Sequence, residues 1–311
     1  MADDKIVSDK IANNALLDMF TSGQEKRAQD AINDYTRMKI REDGFLRRIL
    51  PPVQITNDEL DRAVDTDKPV KIIDKEPDSP AAVSVPFGMQ PQGRYIQGPK
   101  YRVMFQRILT PKFYKDIEEL RTYTMDIRQI LSDNSIKDVL AEEDGKFIAT
   151  VDDVLSGANV VLAETGTAQW VTIGGGVTRD TLAEAMKTLP RSNKHLNVAT
   201  VLVNNVTIWD IVKFGRDEMG GDLSQELFRT GFAERELLGV RFIITIKRNL
   251  VPDSTIYLFA EPKFMGKFFV LEDVTMYIDR RAYLLEFFAY ECIGAAIANV
   301  AAIGKVEFEA A

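Results

Sequence analysis

The feature that most constrains this chain is a concentration of proline in its first half. Nine of the twelve prolines lie between residues 51 and 111. Proline has no backbone N–H and a fixed φ, so this stretch can form neither a continuous helix nor a central strand. It nevertheless contains two strand-like runs, residues 70–73 and 101–105, which predict a long, twisted, two-stranded excursion.

An excursion of this kind has little core of its own. A two-stranded hairpin is only marginally stable in water. A long segment with little core inside a compact domain is also unusual unless it has a function. We therefore expect its apolar side chains to contact another subunit, which indicates assembly.

The composition allows a folded core and excludes several kinds of site. The 311 residues are 45% hydrophobic and 28% charged, enough for about two domains or one large composite domain. A net charge of −8 argues against tight nucleic-acid binding. It fits a protein that lines a DNA container without gripping the DNA, and it equally fits most soluble proteins. The single cysteine, Cys292, excludes an intramolecular disulfide and a Cys-rich metal site, and it fits a reducing compartment.

The sequence shows no pattern that predicts targeting to a membrane. The first ten residues are polar and acidic, so we expect no secretory signal. Residues 283–303 form the most apolar stretch, but Glu286, Glu291 and Asn299 interrupt it. This favours buried strands over a membrane span.

Helical spacing of apolar residues is found on both sides of the proline-rich segment. Residues 8–41 predict helix with a break at residues 22–23, either as a core helix or as an arm that docks on a neighbouring subunit. Residues 113–131 predict a helix beginning near Pro111. A second helical stretch covers residues 136–140, with an extension to Leu155 after a break near Gly145.

The second half of the chain predicts mostly strands. Residues 158–173 predict a short strand pair, and a helix with Thr178 as its candidate N-cap follows. Thr181 and Glu184 are the alternative, as a capping box, and Pro190 stops the helix. The remaining predicted elements are a helix around residues 208–214 and strands near residues 198–203, 240–246, 256–259, 268–278, 283–293 and 301–308. This content predicts an α+β chain.

The motifs that suggest chemistry have simpler interpretations. His195 is the only histidine and lies in a polar loop, so we expect a surface residue rather than a catalytic base. The glycine triplet 174–176 lacks the spacing of a phosphate loop and predicts a turn. Residues 142–145 lack the ligand pattern of a calcium loop and predict a solvated helix end. We therefore predict no catalytic, cofactor-binding or metal site.

Two basic pairs and the cysteine also have structural interpretations. Arg47 with Arg48, and Arg280 with Arg281, predict salt bridges or subunit contacts, with contact to phosphate as the lesser alternative. Cys292 lies in an apolar strand and predicts a small buried core residue.

Three segments of the second half resemble the Hong Kong 97-type major capsid proteins of tailed phages. Residues 199–214 (ATVLVNNVTIWDIVKF) are similar to that family's apolar strand, Asn-containing turn, aromatic residue and short helix. Residues 237–262 resemble its Leu-Gly strand and the strand after it, and residues 268–309 resemble its terminal strands. The order of helical arm, Pro-rich extension, long helix, α/β domain and closing strands resembles the family over nearly the whole chain.

The resemblance implies an α+β, Hong Kong 97-type capsid fold in four parts. These are an N-terminal arm (1–45), an extended β-hairpin loop (46–110), a peripheral domain with a long spine helix (111–175 and 263–297) and an axial α/β domain (176–262 and 298–311). Some members cross-link lysine to asparagine between subunits. Lys68, Lys71 and Lys75 lie in the loop but match no cross-linking motif, so we predict no cross-link.

The function implied is that of a major capsid protein, with no enzymatic activity. Its pentamers and hexamers would self-assemble into the icosahedral head shell that encloses the double-stranded DNA genome of a tailed phage. Assembly would take place in the host bacterial cytoplasm without a membrane, and separate scaffolding, portal and decoration proteins are candidate partners. An encapsulin-type nanocompartment shell is the alternative, and the long loop favours the phage. The absence of a site pattern disfavours the third hypothesis, an unrelated cytoplasmic α+β enzyme.

Overall fold

The described residues form three β-sheets, and a long helix packs against two of them. The computed structural model describes residues 11, 14–15, 44–63, 65, 67–74, 84–90, 93, 95, 98–122, 127–164, 168–192, 194–212, 236–237 and 239–309. Ile11, Asn14 and Ala15 are helical and exposed. The rest of the helix predicted over residues 8–41 lies outside the described residues.

The sheet with the most residues, called the largest sheet, is built on a hairpin of two long strands, β12 (Gly266–Arg281) and β13 (Leu284–Ile297). Buried and accessible residues alternate over residues 274–279 of β12, as expected for a strand with one covered face, whereas residues 268–270 form a continuous buried run. Ala282, with φ of 56°, lies in the turn between them. The strand order is β1-β12-β13-β5, and β6 also pairs with β13. The strands are β1 (Pro52–Gln54), β5 (Gln106–Leu109), β6 (Phe113–Asp116), β12 (Gly266–Arg281) and β13 (Leu284–Ile297).

A single helix of 38 residues, α3 (Ile127–Glu164), packs on one face of this sheet. At 1.5 Å per residue it is roughly 57 Å long. It follows two short helices, α1 (Phe45–Ile49) and α2 (Ile117–Thr122). The buried positions of α3 recur with helical spacing on both sides of Gly145.

The structure corrects three predictions in this region. The predicted break near Gly145 is wrong, because burial of the apolar stripe outweighs the roughly 1 kcal/mol that glycine costs in a helix. The predicted strand pair over residues 158–173 is wrong in its first part, since residues 158–164 continue α3, whereas its last part forms strand β7 (Trp170–Ile173). Residues 113–116 form strand β6 rather than the start of the helix. Their partners lie in β13, about 170 residues away, and local spacing cannot show them.

The second sheet has six strands in the order β7-β14-β11-β8-β10-β9. Every residue of its central strands β8 and β11 is buried. The Asn204 side chain closes the turn after β8, where it accepts hydrogen bonds from the backbone of Val206 (3.0 Å) and Thr207 (2.7 Å). The strands are β7 (Trp170–Ile173), β8 (Thr200–Asn204), β9 (Glu236–Leu237), β10 (Val240–Thr245), β11 (Thr255–Phe259) and β14 (Ile303–Phe308).

Short helices flank the second sheet. Thr178 caps α4 and forms a capping box with Thr181, which confirms the cap and excludes the alternative with Glu184. The helix ends at Met186, ahead of Pro190. The short helices are α4 (Arg179–Met186), α5 (Thr207–Val212) and α6 (Pro262–Met265).

The third sheet confirms the excursion predicted from the prolines. It contains β2 (Asp61–Arg62), β3 (Pro69–Asp74) and β4 (Lys100–Met104), paired antiparallel in that order. The ends of the segment predicted as a loop, residues 46–110, belong elsewhere: β1 and β5 join the largest sheet. The apolar core runs from α1 and α3 through the second sheet to the start of β12. The division into peripheral and axial domains stays a prediction.

Candidate functional site

The residues considered for chemistry lie apart from one another. His195 is exposed, as predicted, and its Nδ1 lies 3.1 Å from the backbone oxygen of Pro190. Residues 174–176 form the predicted turn, in which Gly175 and Gly176 have φ of 100° and 69°. Cys292 is buried, as predicted. The described residues contain no group of three or more His, Cys, Asp or Glu side chains placed to hold a metal ion. Within the same residues, no helix is long and apolar enough to cross a membrane.

The far part of the excursion exposes apolar side chains. Residues 86–89 form a turn, with the Met89 amide donating to the Pro86 carbonyl at 3.2 Å. Phe87 is fully exposed, and Tyr95 and Met89 are 92% and 65% exposed. Exposure of several large apolar side chains on one projecting segment is typical of a contact surface.

The base of the excursion is fixed to its own subunit. Val103 and Phe105 are buried against Phe269 of β12 and Cys292 of β13. At Gly294 of β13 an added Cβ atom would lie 2.9 Å from the Met104 carbonyl oxygen. Only glycine lets the backbone from β4 to β5 cross the sheet this closely. The excursion therefore has an anchored base, whereas the sequence predicted partners for it only in another subunit.

Beyond this anchor the same face of the largest sheet carries aromatic side chains. Tyr277 and Phe288 have ring centroids 5.0 Å apart, and Phe288 and Tyr290 have centroids 6.2 Å apart. Lys112 Nζ lies 5.3 Å from the Phe288 centroid. Tyr114, the cross-strand partner of Glu286, is 57% exposed. This aromatic face is opposite the face that packs on α3, and its outer residues remain accessible.

A buried charged cluster joins α1, α3 and the long hairpin. Arg47 Nε donates to Glu143 Oε1 at 3.0 Å and its Nη2 donates to Glu291 Oε2 at 3.0 Å. Its Nη1 lies 3.7 Å from Asp273 Oδ1. The side chains of Arg47, Glu143 and Glu291 are between 0 and 2% exposed. Next to them, Asp144 accepts from the Leu46 amide at 3.0 Å and pairs with Lys247 at 2.7 Å.

This cluster corrects the prediction of a solvated helix end at residues 142–145. Glu143 and Asp144 lie in the middle of α3 and are buried. Arg47 confirms the salt-bridge interpretation of the first basic pair, and Arg281 does so for the second, with Nε 3.4 Å from Glu286 Oε2. The sequence contains two traces of the cluster, the Arg47–Arg48 pair and Glu291, which interrupts an apolar strand.

Burial dominates the electrostatics of the cluster. Loss of water raises the pKa of Glu143 to about 7, against the opposing effect of Arg47. Burial, followed by repulsion from Glu143, raises the pKa of Glu291 to about 8. Burial also raises the pKa of Asp144, which Lys247 opposes. In addition, Glu291 Oε1 is buried and has no hydrogen-bond partner in the described part of the chain.

Comparison with known proteins finds similarity in structure and none in sequence. No protein-family model and no curated protein matches the chain. The virus-like particle from Pyrococcus furiosus aligns over 89% of this chain and 98% of its own, with a TM-score of 0.57 and 14% identity. The mature capsid of bacteriophage PhiM1 aligns over 86% and 87%, with a TM-score of 0.57 and 10% identity. A structure from Microbacterium phage Oxtober96 aligns over 86% and 91%, with a TM-score of 0.60 and 9% identity.

These similarities establish the fold. The alignments cover most of both chains, and the shared structures include a phage capsid and a virus-like particle. The predicted α+β, Hong Kong 97-type capsid fold is confirmed. Identities of 9 to 14% leave the role of this particular chain to be argued from its own surfaces.

Proposed function

We propose that this chain is the major capsid protein of a tailed phage, which self-assembles into the icosahedral head shell around a double-stranded DNA genome. The observation that supports this most directly is the excursion, whose base is anchored and whose far end exposes Phe87, Met89 and Tyr95. Large apolar side chains exposed together on one segment mark a contact surface, where a second surface removes them from water. A neighbouring copy supplies that surface in a shell, and the aromatic face of the largest sheet is suited to receive it.

In this proposal the chain has a structural role and catalyses no reaction. Pentamers and hexamers form the shell, which encloses DNA without reading its sequence. The chain's net charge of −8 is compatible with enclosing DNA but not with binding it tightly. Scaffolding, portal and decoration proteins are proposed as separate partners, and assembly is proposed to occur in the bacterial cytoplasm before the protein becomes part of the virion.

An encapsulin-type nanocompartment shell is the second candidate. The alignment with the Pyrococcus furiosus particle, which covers 98% of that chain, supports it. The long Pro-rich segment over residues 46–110 favours the phage. Shells isolated from the native source would contain double-stranded DNA under the first proposal and packaged protein under the second. Neighbouring genes for a terminase, a portal and a prohead protease would also support the phage.

The assembly role is tested by shortening the excursion without touching its base. Asp74 and Lys100 are cross-strand partners, so residues 75–99 can be replaced by Asn-Gly, which closes a two-residue hairpin. We expect a folded subunit with the same circular dichroism as the wild type. Electron microscopy and sedimentation should show that the wild type forms closed shells and that the variant does not. Normal shells from the variant, or an unfolded variant, would contradict the proposal.

A further inference from the structure

The Arg47 cluster contains more buried carboxylates than its positive charges balance. Asp144 is matched by Lys247 at 2.7 Å. Arg47 then remains to balance the two fully buried carboxylates, Glu143 and Glu291, and it also faces Asp273. Lys146, which also acts on Glu291, is more exposed and lies 3.5 Å from Glu142. The charged groups that face the cluster are therefore Arg47 from α1; Glu143, Asp144 and Lys146 from α3; Asp273 from β12; Glu291 from β13; and Lys247 from the turn after β10.

A register shift in β12 brings the third carboxylate into the cluster. The pairing passes from Glu272 with Cys292 to Thr275 with Tyr290, so two residues of β12 are opposite Glu291. This is the arrangement of a β-bulge, which changes the direction of a side chain. One of these two residues is Asp273, whose Oδ1 lies 3.7 Å from Arg47 Nη1. The bulge thus adds a negative charge where two buried carboxylates already share one arginine.

Fully ionised carboxylates in this position would be costly. An unbalanced charge in a water-excluded site is destabilising unless the group takes up a proton. Glu291 Oε1, which is buried without a partner among the described residues, is the oxygen on which a proton relieves the excess charge. The direction of the pKa shifts of Glu143 and Glu291 agrees with this geometry.

We propose that Glu143 and Glu291 together bind one proton in the folded chain. Loss of this proton releases residues 44–50 from α3 and the long hairpin. Those residues depend on the cluster for their position. The Leu46 amide donates to Asp144, and Arg47 pairs with Glu143 of α3 and with Glu291 of β13. Phe45, Leu46 and Ile49 supply the remaining apolar contacts.

Loss of the proton would affect the predicted N-terminal arm, because residues 44–50 follow that arm directly. Residues 44–50 lead directly out of the predicted N-terminal arm, residues 1–45. Release of the segment would change how the arm leaves the body of the subunit, and in a shell it would change the contact with a neighbour. That use in a shell rests on the proposed function, whereas the protonation itself is a property of the subunit.

The sign of the pH dependence follows from the raised pKa values. Release would expose Glu143 and Glu291 to water and so return their pKa values toward the ordinary value of 4.5, whereas the closed segment keeps the proton to a higher pH. Stability of the closed segment is therefore complete at acid pH and falls as the pH rises toward about 8. One proton lost on opening corresponds to about a tenfold change in the opening equilibrium per pH unit.

The test is amide hydrogen exchange followed by mass spectrometry on the full chain, with rates corrected for the intrinsic effect of pH. Between pH 5.5 and 7.5 the protection factor of peptides covering residues 44–50 should fall about a hundredfold in the wild type. In Glu291→Gln, which mimics the protonated side chain, it should change by less than about threefold. Peptides covering β8 serve as the internal reference. Glu143→Gln makes the same comparison if Glu291→Gln does not fold.

Glu286→Gln is the matched control, because Glu286 lies on the same strand with a side chain only 2% exposed. Lys112 and Arg281 hold the pKa of Glu286 below its ordinary value, so this variant should keep the wild-type pH dependence. A wild-type protection factor that does not change with pH would overturn the proposal. An unchanged pH dependence of the protection factor in Glu291→Gln, or in Glu143→Gln where that variant replaces it, would also overturn the proposal. Sedimentation at each pH separates these results from any change in assembly.

Discussion

Substitution of Gly294 by alanine measures how tightly the excursion is held to its own subunit. The added Cβ atom would lie 2.9 Å from the Met104 carbonyl oxygen, 3.0 Å from Val103 Cγ1 and 3.1 Å from Phe105 Cδ1. The nearest atom belongs to the backbone, so the chain between β4 and β5 must move. Overpacking of this kind costs about 1–3 kcal/mol. Replacing glycine in a strand returns about 0.5–1 kcal/mol, so the middle of the two ranges gives a net loss of about 1 kcal/mol.

Gly157→Ala is the matched control for this prediction. Gly157 is exposed in α3, and an added Cβ atom would have no neighbour within 4 Å. That variant should gain about 0.5–1 kcal/mol from helix propensity alone. Urea unfolding of the unassembled subunit measures both free energies of unfolding, with unchanged m-values as the check on two-state behaviour. The anchoring interpretation is refuted if Gly294→Ala is as stable as the wild type or more stable.

Four further outcomes are expected. Arg47→Met should lower the free energy of unfolding by about 3–5 kcal/mol at pH 8, as measured by urea titration. The loss should be smaller at pH 5, where the uncompensated carboxyls are protonated, and an equal loss at both pH values would contradict the cluster. Gly145→Ala should stabilise the subunit by about 0.5–1 kcal/mol if α3 is continuous, whereas a loss would indicate a real break. Phe87→Ser should change stability by less than about 0.5 kcal/mol yet reduce shell formation on sedimentation. Burial raises the pKa of the Cys292 thiol, so it should react with a maleimide only after denaturation.

Several parts of the fold follow from local sequence patterns. Proline density predicts the excursion, because proline acts on the backbone of its own residue and its neighbours. The two strand-like runs within it become β3 and β4. The alternating and continuous apolar runs after Pro190 predict six strands of the two large sheets, β8, β10, β11, β12, β13 and β14, to within a few residues. The Thr178 cap is likewise visible in sequence, since its partner Thr181 is three residues away.

Other features depend on residues that meet only in three dimensions. In sequence, Glu143 resembles a surface residue of a charged run. It is buried in a charged cluster because the fold brings it beside Arg47, which is 96 residues before it, and beside Glu291, which is 244 residues after Arg47. β6 has helical spacing in sequence, but its pairing with β13 decides its structure. Propensity and periodicity act over a few residues, whereas burial, charge balance and strand pairing depend on distant partners. The sequence by itself therefore predicts the proline-rich excursion. Only the tertiary structure determines where the excursion is anchored and which charged residues are buried next to its first residues.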